Sequence, residues 1–487
     1  MGVASFIIED GLSRPDIASE IDHLEFHSEI DEGDVKAHVI SFLTCEPRED
    51  DDLSKISSDD LIGQVCIITF PGEPQSTSYV YEALFRLPCI GPERDELLNN
   101  HILIASEMEL AIRQRPYKLF GTYFCQQNGV TSICAHSAVR TLVRTLRGTA
   151  PSTAELNSFW SYYPAALPVH TDKLISALEH YGFRPVSYDL TEKIVQTVSD
   201  YRPDNIWGLL TLLADSASPC LLALSEGEPV DHVVPILGYT FNSDEWHPLG
   251  TRLHKHGEEN NTSSHLWIDH LIMHDDMLGP YYSLSRAGLI SGQNKKQLIP
   301  KLVIAILPDR VEVSPASAEM LGRETLDRLL KKISLAPIAQ GRWWDYLLKK
   351  VERRVIRTTL VDKADYIASL GEDLRFQGVD GHDEDQHSIL EEIEASLPDR
   401  MWMCEISLPN LFLANRAKLG ELLIDAERLT ETEDEDQLSE SLMGFRLPSV
   451  IGWRTVEDDG TSDLYASSWP MTGHVPIHTP HHHDNRW

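Results

Sequence analysis

Three residues, a cysteine, a histidine and an aspartate, stand in an order that can perform nucleophilic chemistry. Cys134 follows a polar, glutamine-bearing loop and lies where the sequence predicts the first turn of a helix. The free backbone N–H groups and the positive dipole end of a helix N-terminus both favour a thiolate over a thiol. His232 opens an apolar strand nearly a hundred residues later, and Asp275 follows a further strand. A nucleophile, a base and a group that orients the base are the parts that cysteine catalysis requires.

A fourth residue, Gln127, is a candidate for stabilising the oxyanion that forms when a thiolate attacks a carbonyl group. It precedes Cys134 by seven residues, so its side-chain amide can lie beside the backbone N–H of Cys134. The adjacent Gln126 stays open for the same role. Asp276 likewise stays open as the orienting carboxylate in place of Asp275.

Metal binding is the main competing chemistry for this cysteine. Cys134, His136 and His232 offer one thiolate and two imidazoles, a donor set that zinc accepts. A Cys-x-His pair at a helix start directs its two side chains apart, so we expect no metal here and no other cofactor. The three histidines at 481–483 would bind divalent ions only weakly. Inert, structural roles for Cys134 and His232 are the ordinary alternative to catalysis.

The segment around these residues resembles the papain-like cysteine peptidases, in particular the C39-like peptidases. In that branch a glutamine precedes Cys-Gly-Pro-Ala at a helix start, a histidine opens a strand ending in Gly-Tyr, and Asp-Pro followed by glycine completes the triad. The matching positions here are Gln127, Cys134, His232 with Gly238-Tyr239, and Asp275 with Gly279. The departures are Ala135-His136-Ser137 for Gly-Pro-Ala, and Asp276 for the proline. The resemblance covers residues 113–308 and implies a Cys-His-Asp triad that acts on a protein or peptide.

The elements that must position these residues are predicted from local patterns. Apolar residues recur at helical spacing between Ser132 and Gly148, so a helix starts near the first and stops at the second. Helices continue towards residue 214, and β-like segments then follow at 220–225, 232–239, 265–268, 271–273 and 301–307. Helices first and an antiparallel sheet second is an α+β arrangement. We therefore predict a papain-like central domain over 113–308, with a helical part and an antiparallel sheet.

Additional domains are predicted on both sides of this one. Residues 1–112 form an N-terminal α/β or β-rich domain, with a helix over 94–113 leading out of it. Residues 309–487 form a C-terminal α/β domain with acidic loops, one of them over 378–394, and a histidine-rich tail. A basic helix is predicted over 341–357, and we expect it to neutralise acidic loops of the same protein.

Length, charge and cysteine content limit the class of protein. A chain of 487 residues exceeds what one hydrophobic core usually organises. The 76 acidic and 42 basic side chains give a net charge of −34, which disfavours nucleic-acid binding. Seven scattered cysteines without a Cys-x-x-Cys pair indicate reduced thiols in the cytoplasm. We expect neither a signal peptide, because the first ten residues are acidic, nor membrane association, because no apolar run could span a bilayer.

These patterns together predict a cytoplasmic cysteine hydrolase, either a peptidase or an isopeptidase. Two alternatives stay open. The same thiolate supports transglutaminase-type acyl transfer or deamidation, since these reactions differ only in the group that accepts the acyl carbon. The other alternative is a catalytically inactive papain-like scaffold that binds a protein partner through its flanking domains.

Overall fold

The protein has a mixed α+β fold that contains several antiparallel sheets. The computed structural model describes residues 2–27, 30, 33–47, 55–72, 76–87, 100–161, 169–190, 206–216, 218–225, 232–242, 261–286, 289, 299–308, 310–334, 341–348, 354–376, 384–430, 438–456, 462–470 and 473–478. The helices in these ranges are α1 (Pro15–His27), α2 (Cys134–Arg147), α3 (Thr153–Trp160), α4 (Thr171–His180), α5 (Ile206–Asp215), α6 (Pro315–Ile333), α7 (Arg342–Leu348), α8 (Lys363–Phe376), α9 (Glu384–Ser396) and α10 (Pro409–Asn415). None of these described helices combines the length and apolarity needed to cross a membrane.

The strands fall into three large sheets and one small one. In chain order they are β1 (Ser5–Asp10), β2 (Lys36–Leu43), β3 (Leu61–Phe70), β4 (Thr77–Arg86), β5 (Asn100–Ile102), β6 (Ser106–Ile112), β7 (Arg115–Phe124), β8 (Arg184–Asp189), β9 (Cys220–Ser225), β10 (His232–Phe241), β11 (Asn261–Ser263), β12 (Ile268–Asp275), β13 (Gly279–Ser285), β14 (Ile299–Leu307), β15 (Arg354–Asp362), β16 (Arg400–Ser407), β17 (Ala417–Lys418), β18 (Gly420–Asp425), β19 (Leu442–Leu447), β20 (Val450–Val456), β21 (Ser462–Ser468) and β22 (Val475–Pro476).

The first sheet is antiparallel and has the strand order β1-β2-β3-β4-β7-β6. Helix α1 covers one of its faces with the buried side chains of Ile17, Ile21 and Leu24. The helix predicted over 94–113 is wrong for its second half, which forms β5 and β6, while 94–99 lie outside the described residues. In β6 the apolar side chains alternate with exposed glutamates, and this period of two belongs to a strand.

The second sheet is also antiparallel and has the order β13-β12-β10-β9-β14-β8. Helix α2 packs against β10 of this sheet and β7 of the first, as Val139 and Leu142 meet Val233 in one apolar core. The prediction for this helix is confirmed, because it runs to Arg147 and its C-cap, Gly148, has a φ of 81°. Strand β5, which precedes β6 of the first sheet in the chain, pairs with β10 and so belongs to the second sheet.

The third sheet has the order β11-β15-β16-β18-β19-β20-β21, and all its strand pairs are antiparallel except β11 with β15. The region from 309 onward is therefore α+β. The basic helix predicted over 341–357 is wrong beyond α7, because 354–362 forms the central strand β15, whose β-branched residues are buried on both faces. The acidic loop predicted over 378–394 is wrong from Glu384, where α9 begins, since Ile389 and Ile393 give this segment a helical apolar side.

A chain of buried charged side chains, here called the buried ion-pair network, connects helix α5 with the third sheet. Its members are Asp215, Arg357, Glu405, Lys418, Glu421 and Arg446. Arg357 donates to Asp215 of α5 at 3.0 Å and to Glu405 of β16 at 2.7 Å. Lys418 then joins Glu405 to Glu421 at 2.7 and 3.3 Å. Arg357, predicted to lie on a solvated helix face, is instead a buried link between α5 and the third sheet.

Candidate active site

The loop before Cys134 is fixed by one asparagine. The Oδ1 atom of Asn128 accepts the backbone N–H groups of Val130, Thr131 and Ser132 at 2.8 to 3.0 Å. The Ser132 hydroxyl in turn accepts the backbone N–H of Asn128 at 2.9 Å. This tight turn ends at Cys134, which is the first residue of α2 and is 9% exposed. The backbone at the start of α2 therefore has a defined position relative to the thiol.

The turn is anchored to the N-terminal helix. The Oε1 atom of Glu20, a buried residue of α1, accepts from the Asn128 amide at 3.4 Å, from Thr153 at 3.1 Å and from Tyr79 at 3.2 Å. Glu20 thus connects α1, the first sheet, the nucleophile loop and α3. No local pattern predicts this role, because nothing near Glu20 in the sequence distinguishes it from a solvated helix residue.

The structure separates His136 from the other candidate ligands. Its Nδ1 accepts the backbone N–H of Ile133 at 3.2 Å, and its Nε2 lies 2.8 Å from Oδ1 of Asn157. Burial lowers the pKa of His136 to about 4, although the hydrogen bond to Asn157 works against that shift. His136 therefore caps the start of α2 as a neutral ring. It does not join Cys134 and His232 in a metal site.

His232 and Asp275 are brought together by the neighbouring strands β10 and β12. His232 is the first residue of β10 and Asp275 the last of β12, and the distance from Nε2 of His232 to Oδ2 of Asp275 is 3.2 Å. The other oxygen, Oδ1, accepts the backbone N–H groups of Met277 and Leu278 at 2.8 and 3.0 Å. An ionised carboxylate can only accept hydrogen bonds, so Nε2 of His232 carries a proton and donates it to Asp275. Asp275 therefore holds the ring in one orientation.

Cys134 lies on the remaining side of the imidazole. Its thiol lies near enough to His232 to raise the pKa of the imidazole, and since Nε2 is used by Asp275, Nδ1 is the ring nitrogen left to act on the thiol. Burial would lower the pKa of His232, but the hydrogen bonds to Asp275 and Cys134 and the charges of Cys134 and Asp276 raise it to about 10. The pKa of Asp275 is lowered, because His232 and two backbone N–H groups outweigh the effect of burial. The site favours an imidazolium beside negative groups.

Asp276 is a second carboxylate on the same ring, with its Oδ1 3.7 Å from Nδ1 of His232. Burial raises the pKa of Asp276 to about 6, with a smaller contribution from the charge of Asp275, while His232 opposes the shift. Among the described residues neither oxygen of Asp276 completes a hydrogen bond, although the backbone N–H of Gln127 lies near enough to lower the pKa slightly. Of the two aspartates, Asp275 has the contact that orients His232.

The two candidate glutamines have different surroundings. The Oε1 atom of Gln126 accepts the backbone N–H of Val80 at 2.9 Å, and the backbone N–H of Gln126 donates to the Val80 carbonyl at 2.8 Å. This side chain is part of the first sheet. Gln127 has its backbone beside Asp276, and so it borders the cluster of Cys134 and His232.

A separate cavity of about 270 Å³ lies between the first sheet and α2, with Gln64, Met108 and Arg144 among its lining residues. Its lining does not include Cys134 or His232. Two further lining residues, Arg14 and Glu82, already form an ion pair with each other. We place the chemistry at the cysteine cluster, because its charged groups converge on one thiol and the cavity's do not.

The cluster has the groups needed for nucleophilic acyl transfer: a thiol, an imidazole next to it and a carboxylate behind the imidazole. No family model matches this chain, and neither a curated protein nor a solved structure does. The interpretation of this site depends on the geometry of its own residues.

Proposed function

We propose that the protein is a cysteine hydrolase, a peptidase or isopeptidase, whose central region over 113–308 is papain-like. Cys134 is the nucleophile, His232 the base and acid, and Asp275 the residue that positions His232. The observation that carries the proposal is the placement of His232, which is hydrogen-bonded to Asp275 through Nε2 and lies next to the Cys134 thiol. Three residues from α2, β10 and β12 thereby meet at one site.

In the proposed reaction, the Cys134 sulfur attacks the substrate carbonyl carbon as a thiolate, and a tetrahedral intermediate forms. The proton on Nδ1 of His232 moves to the leaving amine as the carbon–nitrogen bond breaks, leaving a thioester on Cys134. Water then attacks the thioester while Nδ1 accepts its proton, and the acid product leaves. Asp275 keeps Nδ1 directed at the reacting atoms throughout, because it holds Nε2.

The oxyanion of the intermediate is assigned to donors at the start of α2. The backbone N–H of Cys134 belongs to the first turn of that helix, where backbone donors have no partner within the helix. Gln127 is the better side-chain candidate, since the side chain of Gln126 is held at β4, where its Oε1 accepts the backbone N–H of Val80. Two donors near 3 Å from the developing charge are the usual requirement.

A protein or peptide substrate is supported by the surface next to the triad. The turn after Asp276 presents Met277 and Leu278, which are 69% and 61% exposed. Their backbone N–H groups are the ones that Asp275 holds, so this apolar surface has a fixed position relative to the triad. An apolar side chain of a polypeptide fits such a surface better than a strongly charged small molecule does.

Alkylation by iodoacetamide tests the nucleophile. In the wild-type protein we expect Cys134 to be alkylated faster than Cys45, the half-buried thiol that serves as internal reference. Asp275→Asn should slow the alkylation of Cys134 and leave that of Cys45 unchanged, as followed by peptide mass spectrometry. Equal rates at the two cysteines, unaffected by Asp275→Asn, would contradict the proposed triad.

A second candidate function, a papain-like scaffold without turnover, is favoured by the burial of the site. Cys134, His232, Asp275 and Asp276 are all at least nine-tenths buried. A comparison of the proteins cleaved or deamidated in cells with wild-type chain and with Cys134→Ala separates the two functions. A hydrolase should lose at least about 10³-fold of its turnover in the variant. A scaffold should give the same set of modified proteins with both chains.

A further inference from the structure

The helix that begins at Cys134 is capped by an imidazole. Ile133, the N-cap residue of α2, has an apolar side chain and cannot cap the helix itself. Its backbone N–H donates instead to Nδ1 of His136, three residues further along, at 3.2 Å. A glutamate or glutamine usually makes this contact at the third position of a helix. The capping group here therefore has a different chemistry, and it lies only two residues from Cys134.

A buried hydrogen-bond network determines which nitrogen of His136 accepts. Nδ2 of Asn157 donates to the backbone carbonyl of Thr131 at 2.9 Å, and a carbonyl can only accept. The same Nδ2 lies 3.1 Å from Nε2 of His23 on α1. The orientation of the Asn157 amide is thereby set, and its Oδ1 lies 2.8 Å from Nε2 of His136. Because Oδ1 is an acceptor, Nε2 of His136 carries the proton, and Nδ1 has a lone pair for the Ile133 N–H.

The surroundings of His136 keep its ring uncharged. The side chain is completely buried and meets Trp160 edge to face, with the ring centroids 4.7 Å apart. Burial is the largest cause that lowers the pKa of His136 to about 4, and the charges of Arg140 and His23 act in the same direction. The hydrogen bond to Asn157 opposes the shift without cancelling it. At neutral pH the cap of α2 is therefore a neutral group.

A neutral cap is favourable for a thiolate in the first turn of a helix. The first turn of α2 contains no acidic residue. A glutamate in place of His136 would accept the same N–H, but its negative charge would lie in the same helical turn as Cys134 and would oppose thiolate formation. The imidazole accepts the N–H without that charge. The positive end of the helix dipole then remains available to the thiolate.

We propose that His136, oriented by Asn157, is a positioning residue for the Cys134 nucleophile, and that it caps α2 without adding a charge next to the thiolate. This role rests on the proposed function, in which Cys134 attacks the substrate. His136 acts through the helix start, since its ring nitrogens are used by Ile133 and Asn157. The histidine stands where the C39-like pattern has a proline, so the cap belongs to a departure of this chain from that pattern.

The pH profile of iodoacetamide alkylation at Cys134 tests this role in the full chain, with Cys45 as internal reference. His136→Gln keeps an uncharged acceptor and should keep the wild-type profile. His136→Glu keeps an acceptor but adds a negative charge, so the midpoint of the profile should move upward by about one pH unit. His38→Glu adds the same charge at an exposed position of β2. It is the matched control and should leave the profile at Cys134 unchanged.

Coincident profiles for His136→Gln and His136→Glu, in variants that both unfold cooperatively in urea, would overturn the role of His136. If His136→Glu does not fold, His136→Leu decides the question. Loss of the acceptor should slow the alkylation of Cys134 at neutral pH about tenfold relative to His136→Gln, and equal rates would overturn the role.

The part of Asn157 is tested by Asn157→Leu, made in the wild-type chain and in His136→Gln. If Asn157 acts by orienting the imidazole, its loss should slow the alkylation of Cys134 more in the wild-type chain than in the variant. Equal slowing in both would overturn its part. Alkylation of Cys134 no faster than that of Cys45 in the wild type would contradict the proposed nucleophile itself. A fast Cys134 that does not respond to charge at position 136 would leave the nucleophile in place and overturn only the role of His136.

Discussion

The buried ion-pair network and the candidate site both hold charged side chains away from water, but they differ in charge balance. In the network three cations, Arg357, Lys418 and Arg446, face three carboxylates. In the site one imidazole faces two carboxylates and a thiol. The network is satisfied by its own members, whereas the site has negative groups in excess.

This difference indicates which cluster is structural. Buried charges that are fully paired fix the relative position of the elements that carry them, and removing one partner is costly. A buried charge left without a partner is a cost that the fold tolerates where another group, such as a substrate or an ion, is to be bound. Substitutions that remove one charge from each cluster test whether the two clusters differ in this way.

The largest effect is expected for Arg357→Met in the network. The change leaves Asp215 and Glu405 buried without the guanidinium, so the free energy of unfolding should fall by about 3–5 kcal/mol. The midpoint of urea unfolding measures it. Arg310→Met is the control, because its guanidinium is exposed and pairs with an exposed Asp399, and the expected change is about 0–1 kcal/mol. Similar losses in the two variants would mean that the network does not differ from a surface pair.

The next largest effect is a fall in the free energy of unfolding at acidic pH, which follows from protonation of Glu405. Burial would raise the pKa of Glu405, but Lys418, Arg357 and a backbone N–H of His478 lower it from 4.5 to about 2. Because the pKa is lower in the folded state, the contribution is present above pH 4.5 and is lost as the pH falls towards 2. Its size is on the order of 3 kcal/mol. Unfolding midpoints between pH 5 and 2 should fall more steeply for the wild type than for Glu405→Gln, and parallel curves would contradict this.

The smallest changes in the free energy of unfolding are expected at the candidate site, and they differ in sign between its two aspartates. Asp276→Asn removes a carboxylate whose charge is disfavoured by burial and should stabilise the fold by about 1 kcal/mol. Asp275→Asn removes the acceptor of His232 and should destabilise it by about 1–2 kcal/mol. The two adjacent aspartates are thus matched controls for each other in urea unfolding. Destabilisation of equal size by both would show that Asp276 has partners like those of the network.

The elements that carry the triad were predictable from local sequence. The helix from Cys134 to Gly148 and the strand from His232 have strong local signals, an apolar stripe with a glycine stop and a continuous apolar run. Such signals depend on neighbouring residues alone. The order of Cys134, His232 and the carboxylate was read from the sequence, and the resemblance to papain-like peptidases agreed with it.

The remaining parts depended on contacts that no local pattern contains. Residues 354–357 were predicted to end a basic helix over 341–357, yet Arg357 lies in strand β15 and is buried between Asp215 of α5 and Glu405 of β16. The choice between Asp275 and Asp276 required the contact of Asp275 with His232, which only the pairing of β12 with β10 brings about. Glu20 lies more than a hundred residues from Asn128, and only the tertiary structure places them together.

The contact of Glu20 with Asn128 has a consequence for dividing the chain into fragments. A fragment over 113–308 would contain the triad, but it would lack the carboxylate that anchors the nucleophile loop. It would also expose both edges of β7, whose neighbours β4 and β6 precede residue 113, and a bare strand edge invites aggregation. Expression trials aimed at the triad should therefore keep α1 and the entire first sheet. During synthesis, Glu20 and Asn128 are both made well before β12, so their contact can form first. The contact of His232 with Asp275 can form only after β12 has left the ribosome.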